Sequence, residues 1–175
     1  MTPIYLDVET TGLSHKHCAV LEVAAVATDG DGELDTFHSL CHPGERALSD
    51  PRIKDALAIN KLEFDEIRSA PPIIEVADRL RKWLSVWGAS TLHAYNNQFD
   101  AGFLTESPWK LNPLSWGQCV MKAVARGKRW CKLKDAASRF GLEWDESQAH
   151  GALYDAKMAF RVHRAYLKHN GLVRV

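Results

Sequence analysis

Residues 19–40 constrain the fold more than any other segment of this sequence. Two runs of apolar and β-branched residues flank the tetrapeptide Asp29-Gly30-Asp31-Gly32. Turn residues of this kind between two strand-like runs predict a β-hairpin. An apolar run at residues 4–6 predicts a strand before it. We therefore expect the first three strands to be sequential neighbours in one sheet.

Helical periodicity begins after residue 44. Residues 49–60 predict a helix with Ser49 or Asp50 as its cap and Pro51 near its first turn. A longer helix is expected after Pro72, and residues 89–95 predict a fourth strand. Further helices are expected at residues 99–104, 120–126, 133–140 and 152–168, with Gly127 and Gly141 as stops. This order of elements indicates an α/β fold, a mixed sheet of about five strands flanked by helices.

Composition is typical of one ordinary globular domain, residues 1–175, with 46% hydrophobic and 25% charged residues. The 22 basic and 22 acidic residues balance, so net charge gives no evidence for or against a polyanionic partner. The four cysteines are widely spaced without a C-x-x-C pair, which predicts free thiols rather than a zinc ribbon or redox motif. No signal segment or membrane-spanning apolar run is present, so we expect a soluble, cytoplasmic protein.

Two carboxylates interrupt the first strand, in the stretch IYLDVETTGL. Side chains alternate across a strand, so Asp7 and Glu9 point to the same face, about 7 Å apart along the backbone. Two like charges on one spot are unfavourable unless a cation lies between them or water solvates both. The pair therefore indicates either a cation site or a solvated strand end at a sheet edge.

Acidic residues in two later stretches could join such a site. Asp100 follows the predicted fourth strand in NNQFDAGFL, where it could equally cap a helix. His150 and Asp155 occur in HGALYDA at the start of the last predicted helix. Five residues span about 140° around a helix, so these two side chains can meet only if His150 lies on the loop before it.

The stretches DVETTGL, NNQFDAGFL and HGALYDA, in this order, resemble the three motifs of the DEDDh (DnaQ-like) 3′-to-5′ exonuclease family. That family includes the proofreading epsilon subunit of DNA polymerase III, ribonuclease T and the three-prime repair exonucleases. The resemblance covers almost the whole chain. It implies a ribonuclease H-like sheet and hydrolysis of phosphodiester bonds.

The resemblance also implies a metal cofactor and residue roles. Phosphodiester hydrolysis needs an activated water and neutralised oxygens, which two cations about 3.5–4 Å apart provide. Hard Mg²⁺ or Mn²⁺ prefers carboxylate oxygens, and no cysteine is needed. By resemblance His150 is the general base, and two Mg²⁺ or Mn²⁺ ions are bound by four ligands: Asp7, Glu9, Asp100 and Asp155.

Substrate contacts follow from the same resemblance. Residues after the first two acids are expected to hold the terminal nucleotide through backbone amides and a hydroxyl, with Leu13 against its base: Thr10, Thr11, Gly12 and Leu13. Asn96 matches a family asparagine and Phe103 stands near it, but Tyr95 occupies the place where the family often has a histidine. The role of that histidine is therefore in doubt.

Residues 122–134 contain six basic residues and no acid, with Trp130 among them. Such a run suits phosphate contacts and base stacking, and its candidate substrate contacts are Lys128, Arg129 and Lys132. The alternative is an ordinary solvated helix face and turn. The stretch HKHC at residues 15–18 lacks a second ligand pair, so we do not expect a zinc site there.

These observations predict a metal-dependent 3′-to-5′ exonuclease that releases nucleoside 5′-monophosphates from single-stranded DNA or frayed DNA 3′ ends. One alternative is a 3′-to-5′ exoribonuclease, because the same five residues serve RNA and no reader of the 2′-hydroxyl is visible. Another is a non-catalytic nucleic-acid-binding subunit. Because the sequence ends soon after the last predicted helix, we do not expect a tail that tethers a polymerase, and the oligomeric state stays open.

Overall fold

A five-stranded mixed sheet organises the fold in the computed structural model, which describes residues 2–127 and 130–173. The strands are β1 (Ile4–Thr10), β2 (Val20–Thr28), β3 (Glu33–Leu40), β4 (Thr91–His93) and β5 (Ser115–Trp116), in the order β3-β2-β1-β4-β5. The first three strands pair antiparallel, and β4 and β5 add in parallel. The expected mixed sheet is confirmed.

The turn between β2 and β3 is closed by Asp29. Its Oδ1 accepts the backbone N–H groups of Asp31 at 2.9 Å and Gly32 at 2.7 Å, and Gly30 adopts φ 94°. Aspartate and glycine are the residues that such a reversal requires, since one bonds its own backbone and the other tolerates positive φ. The predicted hairpin is therefore present.

Eight helices lie among the described residues: α1 (Glu45–Leu48), α2 (Ile53–Asn60), α3 (Phe64–Ser69), α4 (Ile73–Val86), α5 (Asn97–Leu104), α6 (Val120–Val124), α7 (Leu133–Arg139) and α8 (Ala152–His169). The helix expected over residues 49–60 begins only at Ile53. Asp50 instead accepts the backbone N–H and the guanidinium of Arg52, which makes a separate turn before the helix. The short helices α1 and α3 and strand β5 were not predicted, because they contain too few residues to show a period.

The two faces of the sheet are covered differently. Ile4, Leu6 and Val8 of β1 point into a core shared with α4 and α5. Tyr5 points to the opposite face, into a second core with α6, α7 and α8. Alternation along β1 therefore places Asp7 and Glu9 on the α8 side of the sheet.

Two further expectations concern the cysteines and membrane-spanning segments. All four cysteines, which lie within the described ranges, are free thiols. Over the same part of the chain, no helix has both the length and the apolar character needed to cross a membrane.

Candidate active site

Asp7 and Glu9 lie on the central strand of the sheet. β1 is paired on one side with β2, where Glu9 stands opposite Glu22, and on the other side with β4. The two carboxylates are only partly exposed. A solvated strand at the sheet edge, the alternative explanation of this pair, is therefore excluded.

Helices α5 and α8 bring two more carboxylates to this place. Asp100 lies in the first turn of α5 and is only 2% exposed, and Asp155 lies in the first turn of α8. Within the described part of the chain, neither Oδ1 of Asp100 nor Oδ1 of Asp155 has a hydrogen-bond partner. Buried carboxylate oxygens without a donor are free to bind a cation.

His150 joins the cluster from the loop before α8. It adopts φ 65°, and Gly151 is the N-cap of the helix, so the imidazole is not held to the helical spacing. One ligand atom each of Glu9, His150 and Asp155 lie within 4.8 Å of one another. The loop position is the one that the spacing of these two residues demanded.

Burial raises the pKa of all four carboxyls, and repulsion from neighbouring carboxylates raises the pKa of three of them further: Asp7, Glu9 and Asp155. Burial raises the pKa of Glu9 to about 9, and the charges of Asp155, Glu22 and Asp100 add to this. Burial, followed by repulsion from Asp100, Glu9, Asp155 and Glu22, also holds the pKa of Asp7 well above its usual range.

The two helical carboxyls respond in the same direction. The pKa of Asp100 rises to about 8 through burial, opposed by backbone N–H groups at Asp100 and Val8. The pKa of Asp155 rises to about 6, again through burial. Protein alone does not supply enough positive charge for four carboxylates here, and bound cations would restore their ionised form.

The donor set suits a hard divalent cation. It consists of carboxylate oxygens and one imidazole, without thiolate, which favours Mg²⁺ or Mn²⁺ over zinc. The oxygens of Asp100 and Asp155 that lack donors provide positions for such ions. The residues that could hold them are Asp7, Glu9, Asp100 and Asp155.

Glu22 is a fifth acid at this site that sequence reasoning missed. Its buried carboxylate accepts the backbone N–H of Ala152 at 3.1 Å and lies 2.6 Å from Nε2 of His38. The first contact ties the N-terminus of α8, and with it Asp155, to strand β2. The available signal was a single acid in the otherwise apolar run VLEVAAVAT.

The contacts made by the C-terminal end of α2 were not predicted from the sequence either. Buried Asn60 donates from Nδ2 to the carbonyl of Thr10 at 3.1 Å, and Lys61 donates to the carbonyl of Glu146, near the His150 loop. These two contacts hold α2 against both the end of β1 and the segment that precedes α8. An asparagine on the apolar face of a predicted helix was the only signal.

The loop after Glu9 is fixed mostly by its own hydrogen bonds. Thr10 Oγ1 donates to the carbonyl of Gly12 at 2.7 Å, and Thr11 pairs with Ala19 through both its amide and its hydroxyl. A Cβ at Gly12 would lie 2.9 Å from Sγ of Cys18, so a larger residue here would displace the Cys18 side chain. Leu13 is 87% exposed and is the part of this loop most available to a ligand.

Two other predicted substrate contacts belong to α5, the helix that carries Asp100. Asn96 is the N-cap of α5, and the Phe103 ring is 5% exposed and packs beside Phe99 and His15. Tyr95 points into the second core, where its hydroxyl donates to the carbonyl of Cys131 at 2.7 Å. It therefore anchors the segment before α7.

The basic run is only partly described. Lys128 and Arg129 lie outside the described residues, Lys132 is the exposed N-cap of α7, and Trp130 is 59% exposed. Lys134 forms a 2.6 Å ion pair with Glu146. In the stretch HKHC, His15 packs on Phe103, and within the described ranges the one cluster with metal-ligand spacing is Glu9, His150 and Asp155.

Known proteins share both sequence and fold with this chain. The family model RNase_T, described as exonuclease, matches residues 4–163. DNA polymerase III PolC-type of Bacillus subtilis is 29% identical over 163 residues, which is 89% of this chain and 11% of the relative. The corresponding protein of Oceanobacillus iheyensis is 31% identical over 162 residues, again 89% and 11%. The chain thus spans about a tenth of the length of these curated relatives.

Solved structures give the same fold at lower identity. The nuclease domain of 3′hExo, a DEDDh family member bound to rAMP, superimposes with a TM-score of 0.76 at 15% identity, covering 99% of this chain and 94% of that domain. E. coli exonuclease I in complex with a dA16 oligonucleotide gives a TM-score of 0.73 at 18% identity, covering 95% and 41%. With its family match and its three motifs in order on this fold, the chain belongs to the exonuclease family and to its DEDDh group of 3′-to-5′ exonucleases.

Proposed function

We propose that residues 1–175 form a metal-dependent exonuclease domain that removes nucleoside 5′-monophosphates from the 3′ ends of single-stranded DNA or frayed duplex DNA. The observation that carries this proposal is the convergence of four carboxylates and His150 from β1, α5 and the start of α8. Carboxylates with raised pKa values and oxygens lacking donors suit cations better than they suit a packed core.

In this mechanism the four carboxylates hold the metal ions. Two divalent cations bound by Asp7, Glu9, Asp100 and Asp155 would supply charge neutralisation for the phosphate oxygens. Glu22 keeps the N-terminus of α8 against β2, and so keeps Asp155 facing Glu9. The sheet and two helices thus fix the carboxylate positions before substrate arrives, which is the condition for electrostatic catalysis.

His150 has the proton-transfer role. Its ring is exposed at the rim of the cluster and within 4.8 Å of Glu9 and Asp155. A ring nitrogen in this position accepts a proton from the attacking water. The departing 3′-oxygen, which stays on the penultimate nucleotide, is protonated by solvent. The loop before α8 lets the ring reach water without disturbing the helix.

DNA is favoured as the substrate by the relatives. The relatives whose alignment covers 89% of this chain are DNA polymerases, and the exonuclease I structure holds a DNA oligonucleotide. The 3′hExo domain is bound to rAMP, and this keeps a 3′-to-5′ exoribonuclease as the second candidate function. Leu13, exposed on the loop that follows β1, would stack on the terminal base of a DNA strand or of an RNA strand.

Digestion of matched DNA and RNA oligonucleotides tests the proposal. A 5′-labelled DNA strand in Mg²⁺ or Mn²⁺ should shorten by single nucleotides, faster than RNA of the same sequence, and a chelator should stop the reaction. Asp155→Asn should abolish cleavage, whereas Asp135→Asn, an exposed aspartate of α7, should not. Cleavage of circular strands would indicate an endonuclease. No cleavage of any strand with either metal would leave a non-catalytic binding protein.

A further inference from the structure

Lys61 ends α2 in a backbone conformation that rarely suits a lysine. It adopts φ 55° and ψ 35°, the left-handed region that glycine occupies without strain at the ends of helices. Among the described residues, three others apart from glycine have positive φ: Lys110, Arg126 and His150. Backbone strain of this kind persists where the surrounding structure holds the residue, and it clusters at functional sites. A side chain retained at this position is expected to have a role that glycine could not fill.

The side chain of Lys61 reaches the turn that precedes His150. Its Nζ donates to the carbonyl of Glu146, 85 positions further along the chain. This turn, residues 145–149, is closed by Asp145, whose carbonyl and carboxylate both accept backbone N–H groups further along it. Because Lys61 bonds a backbone group of a closed turn, the contact fixes the place of the whole turn and not only that of one side chain.

Helices α7 and α8 also hold the turn, through Lys134 and Tyr154. Lys61 differs from them because the neighbouring residue, Asn60, bonds the carbonyl of Thr10 at the end of β1 at 3.1 Å. The end of α2 thus connects the turn with the strand that carries two of the carboxylates. This link fixes the distance across the site, between β1 and the loop before α8.

The general base depends on this backbone support. No described residue forms a hydrogen bond with the imidazole of His150, which is exposed. In catalytic triads, by contrast, the base is oriented by a third group that bonds the ring. The position of this ring is therefore set by the backbone of His150, which is itself in the left-handed region at φ 65°, and by the turn before it.

The charge of Lys61 has a smaller influence on the site than its geometry. Burial raises the pKa of Asp155, and the ammonium group of Lys61 is among the influences that lower it. Lys61 is exposed, so solvent screens this interaction. A functional effect of Lys61 must therefore come mainly from the position that it imposes on the turn.

We propose that Lys61 is a positioning residue for proton transfer. By holding residues 145–149 against α2, it places the His150 imidazole beside Glu9 and Asp155. The inference rests on the proposed function, since it assigns a support to the general base of that reaction. In this role Lys61 acts through His150 and needs no contact with the substrate.

Hydrogen exchange of the metal-free protein tests the structural part without any catalysis. Lys61→Gly removes the contact and keeps the backbone, because glycine adopts this φ without strain. Amides of residues 145–151 should exchange about tenfold faster in the variant, while those of the strands keep the wild-type rate. The matched control is Lys110→Gly, the same change at an exposed lysine with φ 52° between α5 and β5, which should leave residues 145–151 unaffected. Unchanged exchange in Lys61→Gly, or faster exchange throughout the protein, would overturn the inference.

Single-turnover cleavage of a DNA oligonucleotide tests the catalytic part. At saturating concentration, Lys61→Gly should lower the rate constant about tenfold, and the concentration for half-maximal rate should stay within about twofold. Lys61→Arg should recover the rate to within about threefold, because a guanidinium can donate to the same carbonyl. Lys110→Gly should keep the wild-type rate. In a His150→Ala background, Lys61→Gly should cause no further loss, since its effect passes through the imidazole.

The outcomes separate this role from its alternatives. A loss of equal size with and without His150 would show that Lys61 acts on the metals or on the strand itself. A raised concentration for half-maximal rate would make Lys61 a phosphate contact. Either result overturns the inference, as does a wild-type rate in Lys61→Gly, and in all three cases wild-type cleavage leaves the proposed function intact. If wild type cleaves no strand, the proposed function fails and the positioning role fails with it.

Discussion

Asp100→Asn should make the metal-free protein more stable while it abolishes activity. The side chain is 2% exposed, and the pKa of its carboxyl is about 8, compared with 3.8 in an unfolded chain. Because the folded-state pKa is the higher one, the unfolded chain releases the proton first, and stability falls as pH rises from about 4 to about 8. Asparagine keeps the shape of the side chain and carries no charge, so its stability lacks this fall.

The size of the expected gain in stability follows from the difference between the folded and unfolded pKa of Asp100. A carboxyl with a pKa of about 8 rather than 3.8 is about 6 kcal/mol harder to ionise in the folded protein. Protons redistribute among Asp7, Glu9 and Asp155 when one charge is removed, so we take half of this, about 3 kcal/mol, as the gain at pH 8. For a chain of this length, that gain raises Tm by about 6–12 °C.

Thermal unfolding in chelator at several pH values between 4 and 8 measures the effect. The difference in Tm between Asp100→Asn and wild type should vanish near pH 4 and be largest at pH 8. Adding Mg²⁺ should raise the Tm of wild type more than that of the variant, because the variant has one ligand fewer. Asp135→Asn, exposed on α7, is the control for charge alone. A variant destabilised equally at pH 4 and pH 8 would refute the reasoning, since it would show that the carboxylate is a structural group without electrostatic strain.

Three further predictions concern individual groups. His150→Ala should lower kcat by about 10²–10⁴-fold with oligonucleotide affinity unchanged, and full single-turnover activity would show that another group takes the proton. Neutralising Lys128, Arg129 and Lys132 together should weaken binding of a single strand and flatten its salt dependence by about 0.7 for each phosphate left without its cation, and an unchanged slope would mean that the run is an ordinary solvated surface. Glu22→Gln should reduce kcat at least tenfold at unchanged KM, with a larger loss in Glu22→Ala, because the tie between β2 and Ala152 is weakened; wild-type kcat in both variants would remove the positioning role.

Geometric rules that act over a few residues were enough to predict several features of the fold and the site. Alternation along β1 places Asp7 and Glu9 on one face, and the helical angle places His150 outside α8. The hairpin after β2 follows from Asp29 and the glycines beside it. Each of these predictions depends on residues that are close in sequence, where geometry leaves few choices.

Contacts between distant segments were beyond such rules. Glu22 bonds a backbone group 130 positions away, and Asn60 bonds one 50 positions away. Whether Thr11 faces a ligand or Ala19 depends on how the loop closes, and the sequence alone does not specify this. Strand β5 has two residues and exists only because β4 offers it an edge. Tertiary packing determines these three contacts and this strand. The sequence therefore predicted the motif residues, but not the contacts that hold them in place.

The position of α8 has a consequence for protein synthesis. The ribosome completes β1 and α5 before it reaches His150 and Asp155, and the site gains its last carboxylate only when α8 docks on β1 and β2. A nascent chain that ends before residue 150 lacks both of these groups, and we expect it to be inactive. A proteolytic cut before α8 that released this helix would likewise remove Asp155 from the site. Hydrolysis therefore requires that α8 has docked, and no separate inhibitor is needed to prevent it earlier.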